Sequence, residues 1–132
     1  MRELDHYLTE CGTKVFKWGE HDCAIFAANW AKIYTGINFL EAYDSWDSEL
    51  SAIKVFTRGG GLEQCITSTL GEPLKTYPKD GDIALLPDKL GGLCIVYGAY
   101  VVGPAKPIGL NFHPFTDTSR FWRLPCQTQL RK

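Results

Sequence analysis

The feature that most constrains this chain is a change in hydrophobic period near Pro78. Before that residue, apolar side chains recur at the i, i+3, i+4 and i+7 spacing of amphipathic helices. After it, short apolar runs stand between turn residues, as strands do. Helices first and strands afterwards, joined by hairpin-length connections, predict an α+β fold with an antiparallel sheet. The 132 residues suffice for one hydrophobic core, so we expect a single domain over residues 1–132.

The first half of the chain contains four predicted helices. The second is the clearest, because apolar residues keep helical spacing for three turns from Cys23 and stop before Gly36. Asp22 stands where a cap is needed, since its carboxylate can accept hydrogen bonds from the backbone N–H of Ala24 or Ile25. The apolar positions of the first, third and fourth helices are, in order, Leu4, Tyr7, Leu8 and Cys11; Trp46, Leu50, Ile53 and Phe56; and Leu62, Cys65, Ile66 and Leu70.

The second half predicts five strands. The turn over residues 79–82 introduces the first of them, and the pair Gly98-Ala99 predicts a two-residue type II′ hairpin between the second and third. The predicted strands cover residues 83–86, 93–97, 100–102, 108–112 and 121–124.

Charge and cysteine content argue against several functional classes. Fourteen basic and fifteen acidic residues give a net charge of −1, so no basic field attracts nucleic acid or an anionic membrane. The uncharged stretch 90–105 is too short and too rich in glycine to span a bilayer. The N-terminus lacks the apolar region of a secretion signal, which predicts synthesis and folding in the cytoplasm.

Five cysteines are present without a C-x-x-C motif or a histidine at metal-ligand spacing. This pattern favours free buried thiols over a disulfide framework or a zinc site, and we expect no metal and no cofactor. An iron–sulfur cluster built from four dispersed cysteines is the alternative.

The residue types that carry chemistry lie in the segment W-G-E-H-D-C, residues 18–23. Cys23 stands at a helix N-terminus, where unpaired backbone N–H groups and the helix dipole favour a thiolate. A cysteine nucleophile also needs an imidazole base, and the candidates are His21, two residues away, and His113, at the end of a predicted strand. The alternative interpretation makes Cys23 a small apolar residue at the start of a buried helix face. Trp46, in an acidic segment, is a candidate exposed contact with a partner.

Ordered motifs resemble those of a family of small phage and prophage tail-locus proteins. They are W-G-x-H-D-C, an Ala-rich helix ending in T-G, G-G-L-E, L-G-x-P, G-D-I-A-L-L, a Gly-rich hairpin and F-W-R, and they extend from Trp18 to Arg123. That group in turn looks like a distant relative of the NlpC/p60 cysteine peptidases, which are papain-like α+β enzymes that cut peptidoglycan stem peptides. The resemblance implies a papain-like fold in which Cys23 matches the nucleophile.

The chain departs from the peptidases at the other two catalytic positions. Gly92 stands where the resemblance places the catalytic histidine, and the third polar residue would fall near Val102 or Gly103. The resemblance therefore implies a catalytically degenerate scaffold that serves as a structural component of a phage tail tip, in the hub or baseplate. Such a protein is carried in the virion and is oligomeric there with other tail-tip or hub proteins. The alternative is an active cysteine peptidase or amidase that cleaves peptidoglycan during phage entry, with His113 or His21 as the base.

Overall fold

The computed structural model describes residues 2–86, 92–114 and 119–125. These ranges contain the helices α1 (Arg2–Cys11), α2 (Cys23–Thr35), α3 (Glu49–Arg58) and α4 (Leu62–Leu70). The strands are β1 (Ile83–Leu85), β2 (Leu93–Tyr97), β3 (Tyr100–Pro104), β4 (Leu110–Pro114) and β5 (Arg120–Trp122). The predicted α+β class is confirmed, with helices first and an antiparallel sheet after them. No helix in these ranges has the length and apolar character that a membrane span requires.

The strands form one sheet in the order β4-β3-β2-β1-β5, and each neighbouring pair is antiparallel. The β2–β3 hairpin pairs Tyr97 with Tyr100 across a two-residue turn. Gly98 has a φ of +63°, whereas Ala99 is not among the residues of positive φ. A type II′ turn needs a positive φ at its first central residue alone, so the turn agrees with the prediction.

The two faces of the sheet carry different clusters, because side chains alternate along a strand. The helix face joins the main core under α1 and α2, and the opposite surface, called here the far face, carries a smaller cluster. The helix face presents Ile83, Leu85, Leu93, Ile95, Val102 and Trp122. The far face presents Ala84, Cys94, Val96 and Val101. Trp30 of α2 is fully buried in the main core, as its helical spacing predicts.

Element ends differ from the predictions by a few residues where side chains cap the backbone. The third helix begins at Glu49 because Ser48 accepts a hydrogen bond from the backbone N–H of Ser51, while the Ser51 hydroxyl accepts one from that of Ser48. Trp46 therefore precedes α3. Ile108 likewise precedes β4 and forms an isolated antiparallel bridge with Val15.

Candidate functional site

Cys23 begins α2 and lies against the first residue of β2. Its thiol interacts with the backbone N–H groups of Leu93, Ala24 and Cys23 itself, which lower its pKa. Burial has the larger effect, and with the Asp22 carboxylate it raises the pKa from the ordinary 9.0 to about 11. The helix N-terminus therefore stabilises the thiolate, as the sequence predicts, but desolvation has the larger effect on the pKa. Cys23 is a protonated thiol at neutral pH.

Asp22 is a fully buried carboxylate that accepts three hydrogen bonds. Its Oδ1 accepts from the backbone N–H of Ile25 at 2.9 Å, which confirms the predicted helix cap. Its Oδ2 accepts from the backbone N–H of Gly19 at 2.8 Å and from Nε1 of Trp46 at 2.6 Å. These four residues are called the Asp22 cluster below. The cluster fixes the entry to α2 and ties it to the segment before α3.

Trp46 is buried, so the prediction of an exposed partner contact is wrong. Its side chain is 8% exposed, and its ring meets that of Phe56 edge-on at 5.2 Å. The acidic neighbours that suggested exposure belong to a segment whose indole turns inward to donate to Asp22. A buried carboxylate needs donors, and the indole N–H supplies one.

Gly19 is required by the same cluster. Its φ is +83°, a region that L side chains rarely adopt, and a Cβ placed on it would stand 1.9 Å from the carbonyl oxygen of Trp46. Glycine is the residue that permits the segment before α3 to lie this close. The Gly and Asp of the W-G-x-H-D-C motif therefore have a structural explanation.

His21 is also buried, at 6% exposure. Its backbone pairs with that of Lys17, and its ring lies edge-on to Phe26 with centroids 6.1 Å apart. Nε2 is buried without a hydrogen-bond partner in the part of the chain that the structure describes. That nitrogen is thus not bonded to the Cys23 thiol. Burial, reinforced by the positive charge of Lys14, lowers the pKa of His21.

His113 lies on the other side of the sheet from Cys23. It occupies the edge strand β4 and pairs directly with Val101, which belongs to the far-face cluster. Directly paired residues of an antiparallel sheet project from the same face, so His113 projects from the far face. Cys23 packs against the main core on the helix face. The sheet separates this candidate base from the thiol.

The position that the resemblance assigns to a catalytic histidine is next to the thiol and holds a glycine. The Leu93 backbone N–H interacts with the Cys23 sulfur, and Gly92 is the residue before it. Val102, one of the two positions proposed for the third polar residue, is fully buried in the main core. The described residues contain no group of three or more side chains that could hold a metal ion.

A second buried carboxylate was not singled out by the sequence. Asp82 accepts from the backbone N–H of Lys79 at 2.8 Å and from Nε and Nη2 of Arg123 at 3.1 and 2.9 Å. A cleft of about 570 Å³ opens beside this pair, with Tyr34 of α2 on its other wall. The signal was present in the motifs G-D-I-A-L-L and F-W-R, which carry the two partners.

The chain matches the model of a domain of unknown function, DUF6950, over residues 1–124. It belongs to this family. No curated protein and no solved structure matches it. The structure explains three motif residues of this DUF6950 chain, which are Gly19, Asp22 and Asp82. Each of them positions a backbone segment.

Proposed function

We propose that this chain is a non-catalytic structural component of a phage tail tip, built on an NlpC/p60-like scaffold. The observation that carries the proposal is the thiol of Cys23, which stands at a helix N-terminus beside the start of β2; no imidazole is among the described groups that shift its pKa. Gly92 offers no side chain there. His113 lies on the far face, and Nε2 of His21 has no hydrogen bond to the thiol in the described structure.

Hydrolysis by a cysteine enzyme requires a thiolate nucleophile, or an imidazole base that removes the proton of the thiol. A nucleophile and its base stand within hydrogen-bond reach, which is about 4 Å when ligand-free geometry is loose. With a pKa of about 11, the Cys23 thiol is protonated at pH 7. The peptidase alternative therefore lacks support from both the charge state and the geometry of this residue.

The tail-tip assignment is supported by the ordered motifs from Trp18 to Arg123, which resemble those of phage and prophage tail-locus proteins. Asp22 of the first motif accepts a hydrogen bond from Trp46, and Asp82 of a later motif accepts one from Arg123, so each buried carboxylate joins segments far apart in the sequence. Motif residues with such structural roles are consistent with a scaffold protein. Under this proposal, the partners of the chain in the virion are other tail-tip or hub proteins.

The test uses a phage or prophage that encodes this chain. After deletion of the gene, we expect particles with defective tails, and we expect the Cys23→Ser variant to restore both particle assembly and infectivity. The chain should be detected by mass spectrometry in purified particles. Particles that assemble normally with Cys23→Ser but fail to infect would contradict the proposal and indicate enzymatic entry.

A chemical assay on the purified chain gives an independent answer. Alkylation of Cys23 by iodoacetamide, followed by peptide mass spectrometry across pH 6 to 10, should be slow at neutral pH and accelerate toward alkaline pH. Cys23→Ser is the control that identifies the peptide. Rapid alkylation well below the ordinary thiol pKa of 9.0, together with cleavage of peptidoglycan stem peptides, would support the peptidase instead.

A further inference from the structure

Strand β4 is one of the two edge strands of the sheet. In the described structure no strand pairs with its outer edge from Leu110 to Pro114. The residues just before β4 are covered, because Val15 bridges Ile108 and the N–H of Phe16 donates to the carbonyl of Pro107. Among the residues that the structure describes, this cover does not continue along β4. An open edge presents unpaired backbone donors and acceptors and is a template for another strand.

This edge also presents exposed apolar side chains. Phe112 is 50% exposed, Ile108 51%, Val15 62% and Tyr100 48%, and Tyr100 pairs directly with Pro114 of β4. The sequence of β4, L-N-F-H-P, contains no lysine, arginine or acidic residue. Natural edge strands are often protected by charges or by proline; β4 carries no charge, and its one proline is the last residue, Pro114. Exposed apolar surface of this kind marks an interaction site.

We propose that β4 pairs antiparallel with β4 of a second copy of this chain, about a two-fold axis at Phe112. In this register Phe112 meets the partner's Phe112, Leu110 meets the partner's Pro114, and Asn111 meets the partner's His113. Pro114 has no backbone N–H to donate, so the two-way backbone pairing is centred on Phe112. The first two pairs lie on the helix face, because Phe112 pairs with Val102 inside the sheet, and the third lies on the far face. Apolar residues thus meet apolar ones and polar residues meet polar ones.

Charge at the two ends of β4 favours a second copy over an unrelated strand. Lys106 and Lys14 stand at the N-terminal end, where the Lys14 carbonyl binds the turn before β4. Asp80 and Asp5 stand at the other end, where they bind the backbone N–H of Gly98 and the hydroxyl of Tyr97 in the β2–β3 hairpin. A two-fold antiparallel pairing brings the basic end of each copy to the acidic end of its partner.

The first test is the mass of the purified chain in solution, by sedimentation and light scattering at a series of concentrations. We expect a dimer for the wild type, and a dissociation constant at least about tenfold weaker for Phe112→Lys, which places a charge at the centre of the pairing. Leu50→Lys is the matched control, because Leu50 is an apolar residue 62% exposed on α3, which is not part of the sheet. It should leave the dimer unchanged.

The second test covers the case in which Phe112→Lys fails to fold, as judged by circular dichroism. Phe112→Cys should form a disulfide-linked dimer under mild oxidation, since the register places the two residues directly opposite each other. Leu50→Cys should not. A monomeric wild type, a dimer unaffected by Phe112→Lys, or a dimer that Phe112→Cys fails to link would overturn the proposal. A complex formed only with a different protein would do so too. None of these outcomes depends on the phage assignment.

Discussion

The Trp46–Asp22 hydrogen bond is the contact whose removal most directly tests the structure around Cys23. Trp46→Phe removes the Nε1–H donor, 2.6 Å from Oδ2 of Asp22, and keeps an aromatic ring beside Phe56. The carboxylate keeps its two backbone donors. The variant therefore isolates one charge-assisted bond within the Asp22 cluster.

The expected loss of stability follows from the two groups that bond. A hydrogen bond to a charged partner contributes about 1.5–3 kcal/mol, against about 0.5–1.5 kcal/mol for one between neutral groups. The smaller ring adds about 1 kcal/mol of lost burial. Trp30→Phe is the matched control, because it makes the same change to a buried indole whose Nε1 donates to the neutral carbonyl of Gly81 at 2.9 Å. We expect Trp46→Phe to lower the free energy of unfolding by about 1–1.5 kcal/mol more than Trp30→Phe does.

Urea unfolding followed by far-UV circular dichroism measures both variants without relying on tryptophan fluorescence. The slope of the transition should stay unchanged, so that the midpoint reports stability. Native-state hydrogen exchange adds a local readout, since the amides of Gly19 and Ile25 donate to the same carboxylate and should lose protection. A Trp46→Phe variant as stable as Trp30→Phe, with both amides still protected, would refute the role given to this bond.

Further predictions concern His21, the glycines Gly19 and Gly98, and the Asp82–Arg123 ion pair. The lowered pKa of His21 means that the unfolded chain binds its proton first as the pH falls below 6.5. The free energy of unfolding should therefore decrease below that pH. In urea titrations, the difference in this free energy between pH 7 and pH 5 should be smaller for His21→Gln than for the wild type. Gly19→Ala should destabilise the fold by about 3 kcal/mol or more, because a backbone carbonyl occupies the Cβ position. Gly98→Ala, with a positive φ but open space around it, should cost only about 1 kcal/mol in the same assay. Arg123→Met leaves the Asp82 carboxylate, 5% exposed, without its cation, and should cost about 1–3 kcal/mol in thermal unfolding.

The sequence was sufficient where the determinants are local. Helical spacing and flanking glycines predicted α2 and α4 closely, and the Gly98-Ala99 pair predicted the hairpin. The Asp22 cap was predictable because its donor is three residues away. These features depend on the backbone preferences of adjacent residues, which single-sequence patterns report directly.

The sequence was insufficient where a side chain depends on a distant element. Trp46 was misplaced because its indole donates to a carboxylate 24 residues earlier, a contact that no local spacing encodes. The face on which His113 lies follows from its register with Val101, and a shift of one residue would reverse it. The sequence did not predict the burial of His21, because that burial depends on contacts with Phe26 and with the backbone of Lys17.

The charge state of Cys23 depends on whether a cation stands beside its sulfur. Raising its pKa from 9.0 to about 11 disfavours the thiolate by about 3 kcal/mol, even though the N–H groups of Ala24 and Cys23 at the helix N-terminus already lower that pKa. The dipole alone does not reverse that difference. An imidazolium about 4 Å from the sulfur, at an effective dielectric constant of about 20, would contribute about 4 kcal/mol and would reverse it. The described residues place none there, and the chain has glycine at position 92, beside the thiol. Without that cation, the backbone N–H groups around Cys23 bind a neutral thiol.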